Sequence, residues 1–133
     1  MWGSTSDVHL SPLILLQKRI VRIITYSHYL AHTNPLFHAN SILKIKDIYR
    51  YKLGIHMYEL YNSGVNLHPT HQYFTRQRNN AAVAFQRLTQ TQKSVSFTGP
   101  HLWNNIPQNI RSAVSLKIFK RAYRQYLIDK YAE

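Results

Sequence analysis

The chain has 133 residues, 44% of them apolar, with 17 Lys+Arg against 5 Asp+Glu, a formal net charge of +12 and no cysteine. This length supports one domain with a real core, and the missing cysteines exclude a disulfide framework, a thiolate zinc site and a thiol nucleophile. The excess of cations draws such a chain to polyanions, with RNA or DNA as the default partner.

Nothing near the N-terminus predicts a membrane segment. The longest aliphatic run, Leu13–Leu16, is far too short to cross a bilayer, and residues 2–7 carry no signal-peptide pattern. An intracellular location, nuclear or cytoplasmic, with no membrane partner is the expectation.

Ser11-Pro12 predicts a helix start, a capping hydroxyl followed by proline at the first helical position. Leu13, Leu16, Ile20, Ile23 and Ile24 then share a stripe, with Lys18, Arg19 and Arg22 on the opposite side. Burying each aliphatic contributes about 1.5–3 kcal/mol, so that stripe is expected to face a partner surface. The helix fades before Asn34-Pro35, where the residue preceding proline is steered out of helical geometry. A short helical turn over Asn34-Pro35-Leu36-Phe37 follows.

The next long helix is expected from about Lys46 to Asn62, stopped by Asn62-Ser63-Gly64. Ile48, Tyr51, Ile55 and Tyr58 line one side and Leu53, Met57 and Leu60 the other, the pattern of a helix between layers. Gly54 in its interior costs about 1 kcal/mol of helix propensity and marks a candidate close crossing. Residues 63–81 are polar, without periodicity, and read as a loop. From Ala82 to Phe97 two readings stand equally. Alternation of Val83 and Phe85, and of Val95 and Phe97, suggests one or two short strands; a helix over Ser94–Asn105 with Pro100 in its first turns is the other.

Thr98-Gly99-Pro100-His101-Leu102-Trp103-Asn104-Asn105-Ile106-Pro107 holds one of two tryptophans and two of five prolines. Gly99-Pro100 and Pro107 are expected to bound a short anchor, with Trp103 plugged into the core rather than serving as a base-stacking platform. Ser115 caps the last helix, whose core stripe is Leu116, Phe119, Tyr123 and Leu127. Lys117, Lys120, Arg121 and Arg124 share the adjoining face at i, i+3, i+4 and i+7. The expected fold is therefore mainly α, a single small domain of about four to five helices. Within it, residues 1–62 form a helical half, 63–98 a loop with short strands or a hairpin around 82–97, and 99–133 the Trp anchor and basic helix.

Catalytic chemistry is limited by acid groups. The five carboxylates, Asp7, Asp47, Glu59, Asp129 and Glu133, are scattered. Two-metal phosphoryl transfer needs carboxylates converging on ions roughly 4 Å apart. Only Asp129 and Glu133 are neighbours by spacing, so no catalytic residue is assigned. His28 and His32 have the i, i+4 spacing of two helical zinc ligands but lack a third, and no metal ligand is assigned. The basic residues remain. Lys18, Arg19, Arg22, Arg76, Arg78, Lys117, Lys120, Arg121 and Arg124 are the candidate nucleic-acid contacts, with the ten tyrosines as stacking surfaces.

The order of short motifs adds a resemblance. Leu16-Gln17-Lys18-Arg19-Ile20-Val21-Arg22-Ile23-Ile24 comes first, then His32-Thr33-Asn34-Pro35-Leu36-Phe37 and Ile42-Leu43-Lys44-Ile45-Lys46-Asp47-Ile48-Tyr49. Met57-Tyr58, Tyr73-Phe74-Thr75-Arg76, Gly99-Pro100-His101-Leu102-Trp103-Asn104-Asn105-Ile106-Pro107 and Ser115-Leu116-Lys117-Ile118-Phe119-Lys120 complete the series. This resembles the C-terminal region, downstream of the polymerase core, of jockey-type non-LTR retrotransposon reverse transcriptases. It covers nearly the whole chain, Trp2-Gly3 included. Many family members carry a longer Leu-Pro-rich stretch where this chain runs from Tyr61 to His71.

The resemblance implies a fragment of an RNA-directed DNA polymerase without its catalytic palm. Such a fragment would bind RNA and DNA during target-primed reverse transcription beside an upstream polymerase core. Magnesium would serve that full-length enzyme, and this chain would bring no cofactor of its own. The alternative is a stand-alone basic interaction module with no enzymatic role. An adjoining palm-coding frame upstream would distinguish the first from the second.

Overall fold

A computed structural model describes residues 7–64, 80–83 and 87–132. The chain is mainly helical. Its elements are α1 (Asp7–Ile24), α2 (Thr33–Ala39), α3 (Ile45–Asn62), α4 (Thr89–Gln92), α5 (Val95–Asn104), α6 (Gln108–Arg111) and α7 (Leu116–Asp129). The backbone groups into two compact units, Met1–Tyr51 with Arg121–Glu133, and Lys52–Lys120. The long helices α3 and α7 each contribute to both.

In the first unit, Val21, Phe37, Ile128 and Tyr131 form a buried cluster, with Leu36, Ile42 and Leu43 packed against it. The inner stripe of α1 is Leu10, Ile14, Gln17 and Val21, of which Leu10 and Val21 are buried. Gln17 belongs to this inner face because its amide is satisfied there: Nε2 donates to the Leu43 carbonyl at 2.8 Å and Oε1 accepts the Ile45 N–H at 3.0 Å.

Two expectations about α1 are corrected by this packing. The helix begins at Asp7 rather than at Ser11-Pro12, and Pro12 lies inside it. Burial of Leu10 holds the extra turn in place. The stripe expected to face the core, Leu13, Leu16, Ile20, Ile23 and Ile24, is exposed at 48–72%. A helix apolar on two sides can bury only one of them against a single layer, and the inner register offers the hydrogen bonds of Gln17.

The helices α1 and α2 end alike. At α1, Ser27 N–H reaches the Arg22 carbonyl and Tyr26 N–H the Ile23 carbonyl; at α2, Ile42 N–H reaches Phe37 and Ser41 N–H reaches His38. This is the Schellman arrangement, which needs a left-handed residue and usually takes glycine. Here Tyr26 (φ 50°) and Ser41 (φ 52°) occupy it. Because α1 stops at Ile24, His28 and His32 do not share a helix. His28 Nδ1 accepts the Leu30 N–H at 3.3 Å, and His32 is the extended N-cap residue of α2.

The second unit is organised on Trp103, 1% exposed. Tyr58, Tyr61 and Phe119 surround it with ring centroids 6.5, 5.6 and 5.9 Å away. Tyr58 stacks on Phe119 at 4.5 Å, and its hydroxyl donates to the Ala113 carbonyl at 2.7 Å. Leu53, Met57, Ile106 and Ile110 are buried in the same unit. Asn104 adds a two-point clamp on Ala81, accepting its N–H at 2.8 Å and donating to its carbonyl at 3.0 Å.

The short strands or hairpin expected around 82–97 are not formed among the described residues; residues 89–92 and 95–97 are helical, and 84–86 lie outside the description. Alternation over four residues cannot overcome a helix that buries Trp103. Ser94 (φ −68°, ψ 154°) turns the chain into α5, and its carbonyl receives the Phe97 and Thr98 N–H groups. Gly99-Pro100 therefore lies within α5 instead of bounding it. The residue before proline resists helical geometry partly through its Cβ, which Gly99 lacks. A Cβ there would also meet the Met57 Sδ at 2.6 Å. Pro107 serves as the N-cap residue of α6. The expected loop over 63–81 falls mostly on residues 65–79, outside the described residues.

Candidate nucleic-acid interface

The Ser115 hydroxyl and carbonyl accept the N–H groups of Ile118 and Phe119 and so begin α7. Phe119, Tyr123 and Leu127, at i, i+4 and i+8, are buried. That choice of inner face turns Lys117, Arg121 and Arg124 to solvent and leaves Lys120 half-buried. All four lie on one flank of one helix, and α7 carries no acidic residue before Asp129. Arg124 is also structural: its Nη2 donates to the Ser41 carbonyl, the left-handed residue ending α2, at 3.0 Å.

On α1 the cations divide by role. Arg19 is exposed. Arg22 is half-buried, and its Nε donates to the Ala31 carbonyl at 3.0 Å, fastening the turn after α1. Lys18, half-buried, is near enough to Lys44 to disfavour its charge. Arg76 and Arg78 lie outside the described residues.

Lys44 lies within the Ile42–Tyr49 motif but is not among the candidate nucleic-acid contacts. Its Nζ sits 4.0 Å from the Tyr131 ring centroid and 5.7 Å from that of Phe37, and donates to Asn34 Oδ1 at 2.8 Å. Burial lowers its pKa, with Lys18 acting in the same direction and Asp47 opposing. Sequence alone held no signal for this site, because Phe37 and Tyr131 reach Lys44 only through the fold.

Two carboxylates are engaged by neighbours within the fold. Asp47, 7% exposed, accepts from Arg50 Nη1 at 2.9 Å and from the Tyr131 hydroxyl at 2.6 Å. Asp129 accepts from Gln125 Nε2 at 2.7 Å and stands 3.9 Å from His38 Nε2. Among the described residues no three His, Asp or Glu side chains gather as a metal site. Among the described residues no helix is long and apolar enough to cross a membrane.

Searches against protein-family models, curated proteins and solved structures return no match for this chain.

Proposed function

We propose that this chain is a nucleic-acid-binding helical module that contacts phosphates through the basic flank of α7. In kind it resembles the post-polymerase region of jockey-type reverse transcriptases, contributing RNA and DNA binding beside an upstream polymerase core. The observation that carries the reading is Lys117, Lys120, Arg121 and Arg124 on one flank of a helix without acidic neighbours before Asp129. In a chain of net charge +12, such a row has little internal counter-charge to satisfy it. Arg19 extends the basic surface of α1, while Arg22 and Arg124 combine charge with a structural hydrogen bond.

Titration of labelled single-stranded RNA and duplex DNA over a range of salt tests this. Neutralising about four to six phosphates gives a slope of log K against log salt of roughly −3 to −5. Replacing Lys117, Lys120 and Arg121 together by Glu should weaken binding on all sequences alike. Arg124 is left in place because it holds the end of α2. An affinity flat between low and physiological salt would remove the proposal. Primer extension by the isolated chain with Mg²⁺ or Mn²⁺ is expected to yield no product.

A further inference from the structure

We propose that Arg111, the last residue of α6, grips a backbone phosphate of bound nucleic acid through the two terminal nitrogens of its guanidinium. This role rests on the phosphate-binding reading of α7, and Arg111 lies outside that helix.

Two arginines among the described residues are half-buried, Arg22 and Arg111. Arg22 Nε donates to the Ala31 carbonyl at 3.0 Å. Arg111 Nε is enclosed by the protein and, among the described residues, has no acceptor. A buried donor on a charged group is costly to leave unmatched. The guanidinium charge is delocalised over the planar group, so compensation must come at the Nη nitrogens. Of the three nitrogens only Nε is enclosed in this way, which leaves the Nη pair as the edge open to an anion.

The backbone beneath Arg111 is already fixed. Pro107 accepts the Ile110 and Arg111 N–H groups at 3.0 and 3.1 Å, and the Ser112 and Ala113 N–H groups return to Gln108 and Ile110 at 2.9 and 3.2 Å. Ile110 is buried, and the Tyr58 hydroxyl holds the Ala113 carbonyl at 2.7 Å. A cation mounted on such a base loses little freedom when a ligand arrives.

Composition favours phosphate as that ligand. Glu59 is the single carboxylate in the sequence from Lys52 to Lys120, so internal counter-charge is scarce. Residues 112–115 alone separate α6 from α7, and Lys117 and Lys120 belong to the same unit as Arg111. The six steps from Arg111 to Lys117 span at most roughly 20 Å. One strand of duplex DNA carries about six phosphates over that length. A planar fork matches two oxygens of one phosphate, which the point charge of a lysine does not. Arg111 therefore adds geometry to a contact that α7 makes by charge.

Fluorescence anisotropy of labelled single-stranded RNA with Arg111→Lys distinguishes fork from charge, because lysine keeps the cation and the aliphatic stem. Affinity should fall about five- to tenfold, with an unchanged slope of log K against log salt. Arg87→Lys, at an exposed site outside the α7 flank, should bind as the native chain does. A second measurement needs no stable variant: the Arg111 Nε–H resonance of the native chain, assigned through its own backbone, should shift on saturation with RNA. Native affinity in Arg111→Lys, whatever its melting temperature, or an Nε–H resonance that RNA leaves in place, would overturn the proposal while sparing the α7 reading. A native chain without salt-dependent binding would overturn both. Weaker binding of poly-glutamate with RNA binding unchanged would also overturn it, and would assign the fork to a carboxylate partner.

Discussion

The Tyr131 hydroxyl donates to Asp47 Oδ2 at 2.6 Å across 84 residues of sequence and accepts the Lys44 backbone N–H at 3.1 Å. One phenol thus ties the residues after α7 to the start of α3. Arg50 holds the other Asp47 oxygen at 2.9 Å, so the buried carboxylate is bound on both sides. Tyr131→Phe keeps the ring in the Val21–Phe37–Ile128 cluster but strips Asp47 and Lys44 of a partner. Urea denaturation should show a loss of about 1.5–3 kcal/mol, the range for a hydrogen bond to a charged group.

Alkaline pH should expose a second property of the buried phenols. Burial raises the pKa values of Tyr123 and Tyr131 well above the tyrosine norm near 10, and the hydrogen bond to Asp47 adds to the effect at Tyr131. In the unfolded chain both ionise near pH 10, while the folded chain keeps its protons. The stabilisation is therefore complete below pH 10 and falls as pH rises beyond it. Lys44 has the opposite sign, its lowered pKa raising stability with pH below its ordinary value. Thermal melts should fall above pH 10. Tyr123→Phe should flatten that limb, since it removes one titrating phenol, whose hydroxyl donates to the Arg50 carbonyl at 3.3 Å.

Trp103→Ala should act on stability. The ring is 1% exposed among Tyr58, Tyr61 and Phe119, and deleting it leaves a cavity costing about 3–5 kcal/mol. Against a typical total of about 5–15 kcal/mol, the variant should melt far lower. Any remaining folded protein should bind single strands as the native chain does. An unchanged melt with weakened binding would instead make Trp103 a stacking surface.

Ser41→Gly should stabilise the protein. Ser41 occupies the left-handed position that ends α2, at φ 52°, which glycine adopts without a Cβ penalty. The backbone relief of about 1–2 kcal/mol is partly offset by the greater freedom of glycine in the unfolded chain. A net gain of about 0.5–1 kcal/mol should raise the melting temperature by roughly 2–5 °C. The carbonyl that accepts from Arg124 is retained.

Local chemistry made several parts of this protein legible from sequence. The buried row of Phe119, Tyr123 and Leu127 and the cationic flank of Lys117, Lys120, Arg121 and Arg124 both follow from helical spacing after a Ser115 cap. The span of α3, Ile45–Asn62, was signalled by Asp47 near its start and the Asn62-Ser63-Gly64 stop. Trp103 was readable as an anchor because a large apolar ring seldom stays in water.

Only tertiary structure decided which apolar face of α1 turned inward. By composition alone the Leu13–Ile24 stripe was the stronger candidate, yet Leu10 and Val21 were buried beside a hydrogen-bonded Gln17. Periodicity counts apolar residues on a face; it cannot see carbonyl and amide partners 26 and 28 residues away. Gly99-Pro100 likewise looked like punctuation until Met57 placed a sulfur where a Cβ would stand. Residue type and spacing determined where helices could form and where charge accumulated. Which faces became core was settled by long-range contacts, whose partners are distant in sequence and close only after folding.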